Sequence, residues 1–312
     1  MGRADPLKDH AGRLPLPIGM KPVHATGPRR APPRPTNASI MANFGRGGGP
    51  ADRAACGGGH VAAWRGMPRF DRAAPRLFLP GPLDAGVRAP LDRDKAHYLM
   101  TVLRLADGDE VLAFDGASGE WRARLEQAGR REAALVMMAR TRPQPPRGAI
   151  TLMFAPLKAA RLDYVIQKAV EMGAARIVPV ITERTQVARF NGERAAANLI
   201  EAAEQCGIIA LPALDPPARL AEALAALPAS TLLVMADENA DDAPVLEALS
   251  SAGRGREAAV LVGPEGGFSP AERAMLLARP SVLPVPLGPR ILRADTAAVA
   301  IMALVQATLG DW

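Results

Sequence analysis

The sequence predicts an α/β protein: a parallel sheet with helices over residues 149–312, preceded by a small β-rich domain over 67–142 and a short linker at 143–148. Three observations predict it. From Ile150 onward, short apolar runs alternate with helical spacings, as in a parallel α/β sheet. Between 72 and 142 the runs are short, β-like and punctuated by Pro/Gly turns, as in a small barrel. Near the carboxyl terminus two apolar runs end in Gly263-Pro264 and Gly288-Pro289. In a parallel sheet both loops would open at the carboxyl edge, where such sheets bind ligands.

Residues 1–66 hold 12 Gly and 9 Pro with no apolar period, and ten Lys/Arg against three Asp/Glu. Such a stretch buries too little surface to offset its ordering entropy, and it is expected to be a disordered extension. It is either a basic arm for RNA or a tail without a role. In the β-rich domain, 76–79 alternates and closes at Pro80-Gly81-Pro82. Residues 92–103 read as one helix with Leu99, Val102 and Leu103 on its apolar side. Strands at 110–114 and 120–125 flank the turn that Asp115-Gly116 opens, and 131–139 is another strand. Arg142 and the prolines after it read as an extended spacer.

In the larger part, 150–155 is a strand, Leu162, Val165, Ile166, Ala169 and Val170 keep helical spacing, and Gly173 ends that helix. A strand follows at 176–181, then a helix at 193–206 capped by Asn191. Next come a strand at 232–235, a short helix at 245–249 and a strand at 258–262. Ser269, Pro270 and Glu272 supply a cap, a first-turn proline and a capping-box partner for the next helix. The last strand, 282–287, breaks at Gly288, and Asp295 is placed to cap a helix at 296–308.

Charge is unevenly shared: net +7 over 1–66, +3 over 67–148 and −4 over 149–312. A polyanion would therefore prefer the smaller domain. Cys56 and Cys206 are the only cysteines, which excludes a disulfide framework or a cysteine-built zinc site and suits a reducing cytoplasm. No apolar run is long enough to span a bilayer, and no metal is called for.

Gly263 to Phe268 and Leu287 to Ala297 are the motifs that decide function. A lone Gly-rich turn is weak, and no Lys-Ser/Thr pair follows it as a P-loop requires. Together with Leu157-Lys158, Gln167-Lys168-Ala169, Glu171-Met172-Gly173, Thr182-Glu183-Arg184 and Ala203-Glu204-Gln205-Cys206, however, they run in order along the chain. The set resembles the SPOUT-class RNA methyltransferases, specifically the family that methylates N3 of a uridine in 16S ribosomal RNA. It covers residues 67–312 and begins at Met67-Pro-Arg-Phe, so Met67 is a candidate start. His97-Tyr98 and Val102-Leu103-Arg104 resemble that family's PUA-like amino-terminal domain. Three positions depart from its pattern: Met172 stands for the usual Leu, Asp295 for a frequent Glu, and Ile208 for an Arg, a lost cation that lowers the expected RNA affinity or rate.

The resemblance implies a carboxyl-terminal trefoil knot whose two loops, with a third strand end upstream, hold S-adenosylmethionine. It also implies 16S rRNA or the small ribosomal subunit as partner, a homodimer, and a cytoplasmic location. The candidate cofactor residues are Leu261, Gly263, Glu265, Gly266, Leu287, Gly288, Ile291 and Leu292. The glycines let backbone approach the ligand, and the leucines and isoleucine line an adenine slot or pack as ordinary core. Glu265 either touches ligand or shapes its turn. Asp295 is a candidate base for the uracil imide, or a helix cap, with Arg293 and Arg290 as candidate stabilisers of developing charge. RNA contacts are expected from Arg76, His97, Arg104, Lys158 and Arg184. Glu204 reads as a solvated or dimer-face charge. The apolar 296–308 helix needs cover either from a second copy, with Met302 or Gln306 facing outward, or from the 193–206 helix of its own chain. Ribose 2′-O or guanine-N1 methylation, and a non-catalytic RNA-binding module, are the alternative functions.

Overall fold

Asp115 builds the hairpin at the centre of the amino-terminal sheet. Its carboxylate accepts from the backbone N–H groups of Ala117 and Ser118 at 2.8 and 2.6 Å, so the chain turns at Asp115-Gly116. In the computed structural model, which describes residues 74–129, 132–187, 189–240 and 244–312, five strands form this sheet. They are β1 (Arg76–Phe78), β2 (Arg88–Pro90), β3 (Glu110–Phe114), β4 (Glu120–Gln127) and β5 (Ala133–Arg142), in the order β1-β3-β4-β5-β2. The pair β1–β3 is parallel and the others antiparallel. The Gly/Pro-rich extension 1–66, the start at Met67 and Cys56 lie outside the described residues.

Leu77, Val111, Ala113, Leu125 and Leu135 bury one face of the sheet with Ala96 and Leu99. The expected single helix divides into α1 (Arg93–His97), capped by the Asp92 side chain, and a π-helical turn, Tyr98–Val102. Leu105 N–H then reaches back to the Leu99 carbonyl at 3.0 Å, and Arg104 takes a left-handed φ of 58° to allow it. For a residue with a Cβ that conformation costs about 1–2 kcal/mol. Strand β2 escaped the sequence reading because it is a three-residue edge strand ending in Pro90, where no alternation can register.

Beyond Gly148 the chain runs β6 (Ile150–Phe154), α2 (Ala159–Glu171), β7 (Arg176–Ile181), α3 (Gly192–Cys206), β8 (Ala213–Leu214), β9 (Ala218–Arg219) and α4 (Leu220–Ala226). It continues β10 (Leu232–Ala236), α5 (Val245–Ser251), β11 (Ala258–Val262), α6 (Pro270–Leu277), β12 (Val282–Val285) and α7 (Ala294–Thr308). The sheet is parallel, in the order β12-β10-β11-β6-β7-β8, with β9 beside β7. Strand alternation divides its core. Leu152, Phe154, Val260 and Val262 pack with Val165, Ile166, Leu199, Ile301 and Val305 on one face. Met153, Val180, Leu233, Met235 and Leu261 pack with Leu220, Leu224 and Leu276 on the other. The short elements β8, β9 and α4 were not legible, because prolines at 212, 216, 217 and 228 interrupt any period. Among the described residues no helix is long and apolar enough to cross a membrane, and no cluster of His, Cys, Asp and Glu is placed to hold a metal.

The last helix corrects three expectations. It begins at Ala294 with Arg293 as its cap residue, so Asp295 lies in the first turn and is not the cap. Met302 and Gln306 do not face outward; they are 1% and 2% exposed. Gln306 donates from Nε2 to the Met172 and Gly173 carbonyls at 2.7 and 3.1 Å, closing the end of α2. Most of the apolar surface of α7 is covered within the chain by α2, α5, β6 and β11, not by α3, while Val299, Ala300 and Ala303 stay partly exposed.

The seam between the two sheets corrects three more. Arg76 is buried, its Nε donating to Glu120 Oε2 at 3.0 Å, so it is not displayed to RNA. Arg142, read as the start of the spacer, ends β5, donates from Nε to Glu120 Oε1 at 3.0 Å, and reaches the Gly207 carbonyl at the end of α3. Glu204 is not a solvated or dimer-face charge: its Oε1 accepts from Phe78 N at 2.8 Å, which fastens β1 to α3. Phe78 and Phe114 meet edge to face at 5.7 Å beside this link. Ile208, in place of the expected cation, packs half-buried on the larger core.

Burial raises the Glu204 carboxyl above its ordinary value, against the opposing hydrogen bond from Phe78. The native state therefore binds the proton more tightly than the unfolded chain. Stability falls as pH rises from the ordinary carboxylate value through the raised one. Glu204→Gln keeps an acceptor for Phe78 and should flatten that slope, leaving neutral-pH stability equal or higher. Glu204→Leu strands the N–H and should lose about 1–3 kcal/mol. Urea unfolding across the acid range measures both; a Gln variant that loses as much as Leu contradicts this account.

Candidate functional site

Three parallel strands end side by side at the carboxyl edge, and their loops enclose a cleft of about 510 Å³. β11 delivers Val262 and the loop 263–268, β10 delivers Ala236 to Asn239, and β12 delivers the loop 286–293. The helix after the first loop starts where the sequence places it: Ser269 caps α6 and exchanges hydrogen bonds with Glu272. Glu272 also accepts from the backbone N–H of Glu183 at 2.7 Å, bringing the loop after β7 to the cleft. Arg184 follows there, its Nη1 donating to the Gly266 carbonyl at 2.7 Å.

Gly263, Glu265, Gly266, Leu287, Gly288, Ile291 and Leu292 line the cleft together with Arg290, Arg293 and Arg184. Leu261 does not. Alternation turns it to the α4 and α6 face, where it is fully buried in core. Ile291 is 88% exposed and sits on the rim, so it does not line an enclosed slot; half-buried Leu287 and Leu292 are better placed to do so. Asp295 is not itself a lining residue, although Ala294 and Ala297 beside it are. Its Oδ1 accepts from Thr296 N at 3.0 Å, and its Oδ2 lies 3.8 Å from Arg161 Nε.

The expected RNA residues separate. Lys158 is exposed at the start of α2, while His97 and Arg104 are exposed on the amino-terminal domain and do not line the cleft. The exposed cations at the cleft are Arg184, Arg290 and Arg293. They present positive charge where a polyanion would approach.

Sequence reasoning missed Asp237, Asn239, Arg273 and Arg161. Asp237 is 8% exposed at the end of β10; its carboxylate accepts from Arg273 Nε at 2.9 Å and from Asn239 N at 3.0 Å. The signal was present, since a third strand end was expected and Asp237 directly follows that strand. Arg161 lies one helical turn beyond Leu157-Lys158, and only the fold brings it to the cleft loops.

The backbone suits a ligand held by main-chain groups. A Cβ on Gly263 would stand 3.0 Å from the Phe268 ring, so a side chain there would require that ring to shift. Gly288 takes φ +91°, open to glycine and strained for other residues. The cleft volume is within the range of small-molecule sites.

Residues 143–306 match the family described as "RNA methyltransferase domain", and residues 91–137 match "RNA methyltransferase PUA domain". Among curated relatives, the Rickettsia conorii protein named "Ribosomal RNA small subunit methyltransferase E" is 28% identical over 74% of this chain and 94% of its own length. The Synechocystis protein of the same name is 32% identical over 68% of this chain and 71% of its own length. Among solved structures, the ribosomal RNA small subunit methyltransferase E from Neisseria gonorrhoeae, described as bound to S-adenosyl methionine, aligns with a TM-score of 0.66. It is 30% identical and covers 77% of this chain and 99% of its own.

Proposed function

The chain belongs to the RNA methyltransferase family, and from that premise we propose that it methylates N3 of a specific uridine in the 16S rRNA of the small ribosomal subunit, using S-adenosylmethionine. The observation that carries this reading is the convergence of both Gly-Pro loops and the end of β10 on one cleft, with Arg184, Arg290 and Arg293 displayed around it. A wall of glycine backbone over Phe268 suits close approach of an adenosine. The crossing from β11 over β10 to β12, followed by return of α7 onto β6 and β11, is our reading of the trefoil knot.

S-adenosylmethionine supplies, when bound, a methyl group already activated by its sulfonium. The remaining work falls to this chain's residues. The uracil N3–H must lose its proton, and the Asp295 carboxylate is our assignment for accepting it. Arg290 and Arg293 are assigned to the negative charge that develops on the uracil oxygens. The amino-terminal domain, at +3 over 67–148, is assigned the RNA grip, and the −4 portion the cofactor.

The test uses small subunits from a strain lacking this gene, purified protein and methyl-labelled S-adenosylmethionine, with mass analysis of the digested rRNA. Labelled 3-methyluridine is the expected product. A 2′-O-methylated nucleoside or 1-methylguanosine would replace the reaction class, and a chain that neither binds S-adenosylmethionine nor forms product would be a non-catalytic RNA-binding module.

We also propose a homodimer, built on the half-exposed strip Val299, Ala300 and Ala303 of α7, now that Met302 and Gln306 are accounted for inside the chain. Sedimentation equilibrium should give twice the chain mass. A monomer at micromolar concentration would remove this part of the proposal.

A further inference from the structure

Arg161 occupies a position that the cleft's lining residues leave unexplained. It lies in the first turn of α2, a helix fixed to the core by buried Leu162, Val165 and Ile166. Its Nη1 is 3.7 Å from Glu265 Oε1 and its Nε is 3.8 Å from Asp295 Oδ2. One guanidinium thus faces two carboxylates with two different nitrogens. Glu265 belongs to the loop after β11 and Asp295 to the helix start after the loop of β12. Among the described residues no hydrogen bond runs directly between 263–268 and 286–295. The shared arginine is the polar link between the two walls of the cleft.

We propose that Arg161 is a positioning residue that ties the two cleft loops together through Glu265 and Asp295, and so sets the affinity of the cleft for S-adenosylmethionine. This rests on the reading of the cleft as the cofactor site. The three side chains are 39%, 35% and 19% exposed. The separations exceed hydrogen-bond length, so the contacts are ionic and leave the loops room to draw inward. Without the cation, two like charges remain on facing loops and repel. The rigid base is the helix; the adjustable parts are the loops it holds.

The experiment is calorimetric titration of the full chain with S-adenosylmethionine, together with KM and kcat on small subunits. The variants are Arg161→Ala, Arg161→Lys, Glu265→Gln and the Arg161→Ala/Glu265→Gln double. Arg161→Ala should bind about fivefold more weakly, the scale that partly exposed ion pairs can supply, with KM for the cofactor rising in parallel. Arg161→Lys should recover more than half of that loss, because it restores the charge. Adding Arg161→Ala to Glu265→Gln should cost less than it does alone, the coupling expected of contacting residues. Unchanged affinity in Arg161→Ala, a Lys variant no better than Ala, or strictly additive effects would overturn the proposal. If the Ala variant does not fold, the Arg161→Lys/Glu265→Gln cycle decides the same question. A wild-type chain that binds no S-adenosylmethionine refutes the cofactor reading itself and the clamp with it. Wild-type binding with an unaffected Arg161→Ala refutes the clamp alone. Affinity does not depend on which group takes the proton, so this outcome is independent of Asp295 as base.

Discussion

Glu120→Ala is expected to destabilise the folded chain by about 3–5 kcal/mol, the cost of removing one member of a buried ionic network. The Glu120 and Arg76 side chains are each 3% exposed and Arg142 is 12% exposed. Glu120 accepts from both arginines and from Thr141 Oγ1 at 3.0 Å. Its loss removes the carboxylate that both guanidinium groups bond at the seam where β1, β4 and β5 meet the end of α3. Burial alone would raise the Glu120 carboxyl, but the hydrogen bond and charge of Arg142, then those of Arg76, outweigh it and hold the group below its ordinary value. The linkage therefore has the opposite sign to that of Glu204. The contribution is complete above the ordinary carboxylate value and is lost as pH falls through the lowered one. The penalty of Glu120→Ala should shrink on acidification, and the melting temperature at neutral pH should drop by roughly 10 °C. A neutral-pH penalty under about 1 kcal/mol would show that the network contributes little beyond its own desolvation cost.

This seam also marks how far the sequence could be read. The alternation of strands and helices after Ile150 was legible because each element buries one face and repeats its period. The α6 start was legible because Ser269, Pro270 and Glu272 are a local code that needs no tertiary partner. Arg76 and Glu204 were misread because a charged residue in sequence carries no sign of its partner. Glu120, which neutralises Arg76, is on another strand, and the Phe78 N–H that occupies Glu204 belongs to the other sheet. Leu261 was misplaced for a different reason: its run is apolar at every position, so nothing in it distinguishes the cleft side from the core side. Apolarity of α7 was read correctly as a demand for burial, but the sequence could not say that α2 and α5 meet it. The cleft itself was half legible. Glycine and proline announce the two loops and the end of β10 announces Asp237, whereas Arg273 and Arg161 join them only through the fold.

Asp295→Asn is expected to lower kcat by about 10²–10⁴, the usual contribution of a positioned general base, while weakening affinity for S-adenosylmethionine by no more than Arg161→Ala does, since it removes one of that arginine's two ionic partners. Asparagine is close to isosteric and keeps an oxygen able to accept from Thr296 N, the 3.0 Å contact that Asp295 makes at the start of α7. The change removes one negative charge from a helix first turn, worth about 0.3–1 kcal/mol, so the fold should survive it. A merely structural Asp295 would show the reverse pattern: a small loss of stability with turnover intact. Arg293→Ala and Arg290→Ala give the comparison, since exposed cations that stabilise developing charge should also lower kcat without removing the base. If Asp295→Asn keeps turnover within about threefold of wild type, proton acceptance must be assigned elsewhere, because a true base contributes far more than that. The two arginines, the only exposed charged side chains in the loop 286–293, would then remain as the groups proposed to act on the methylated base.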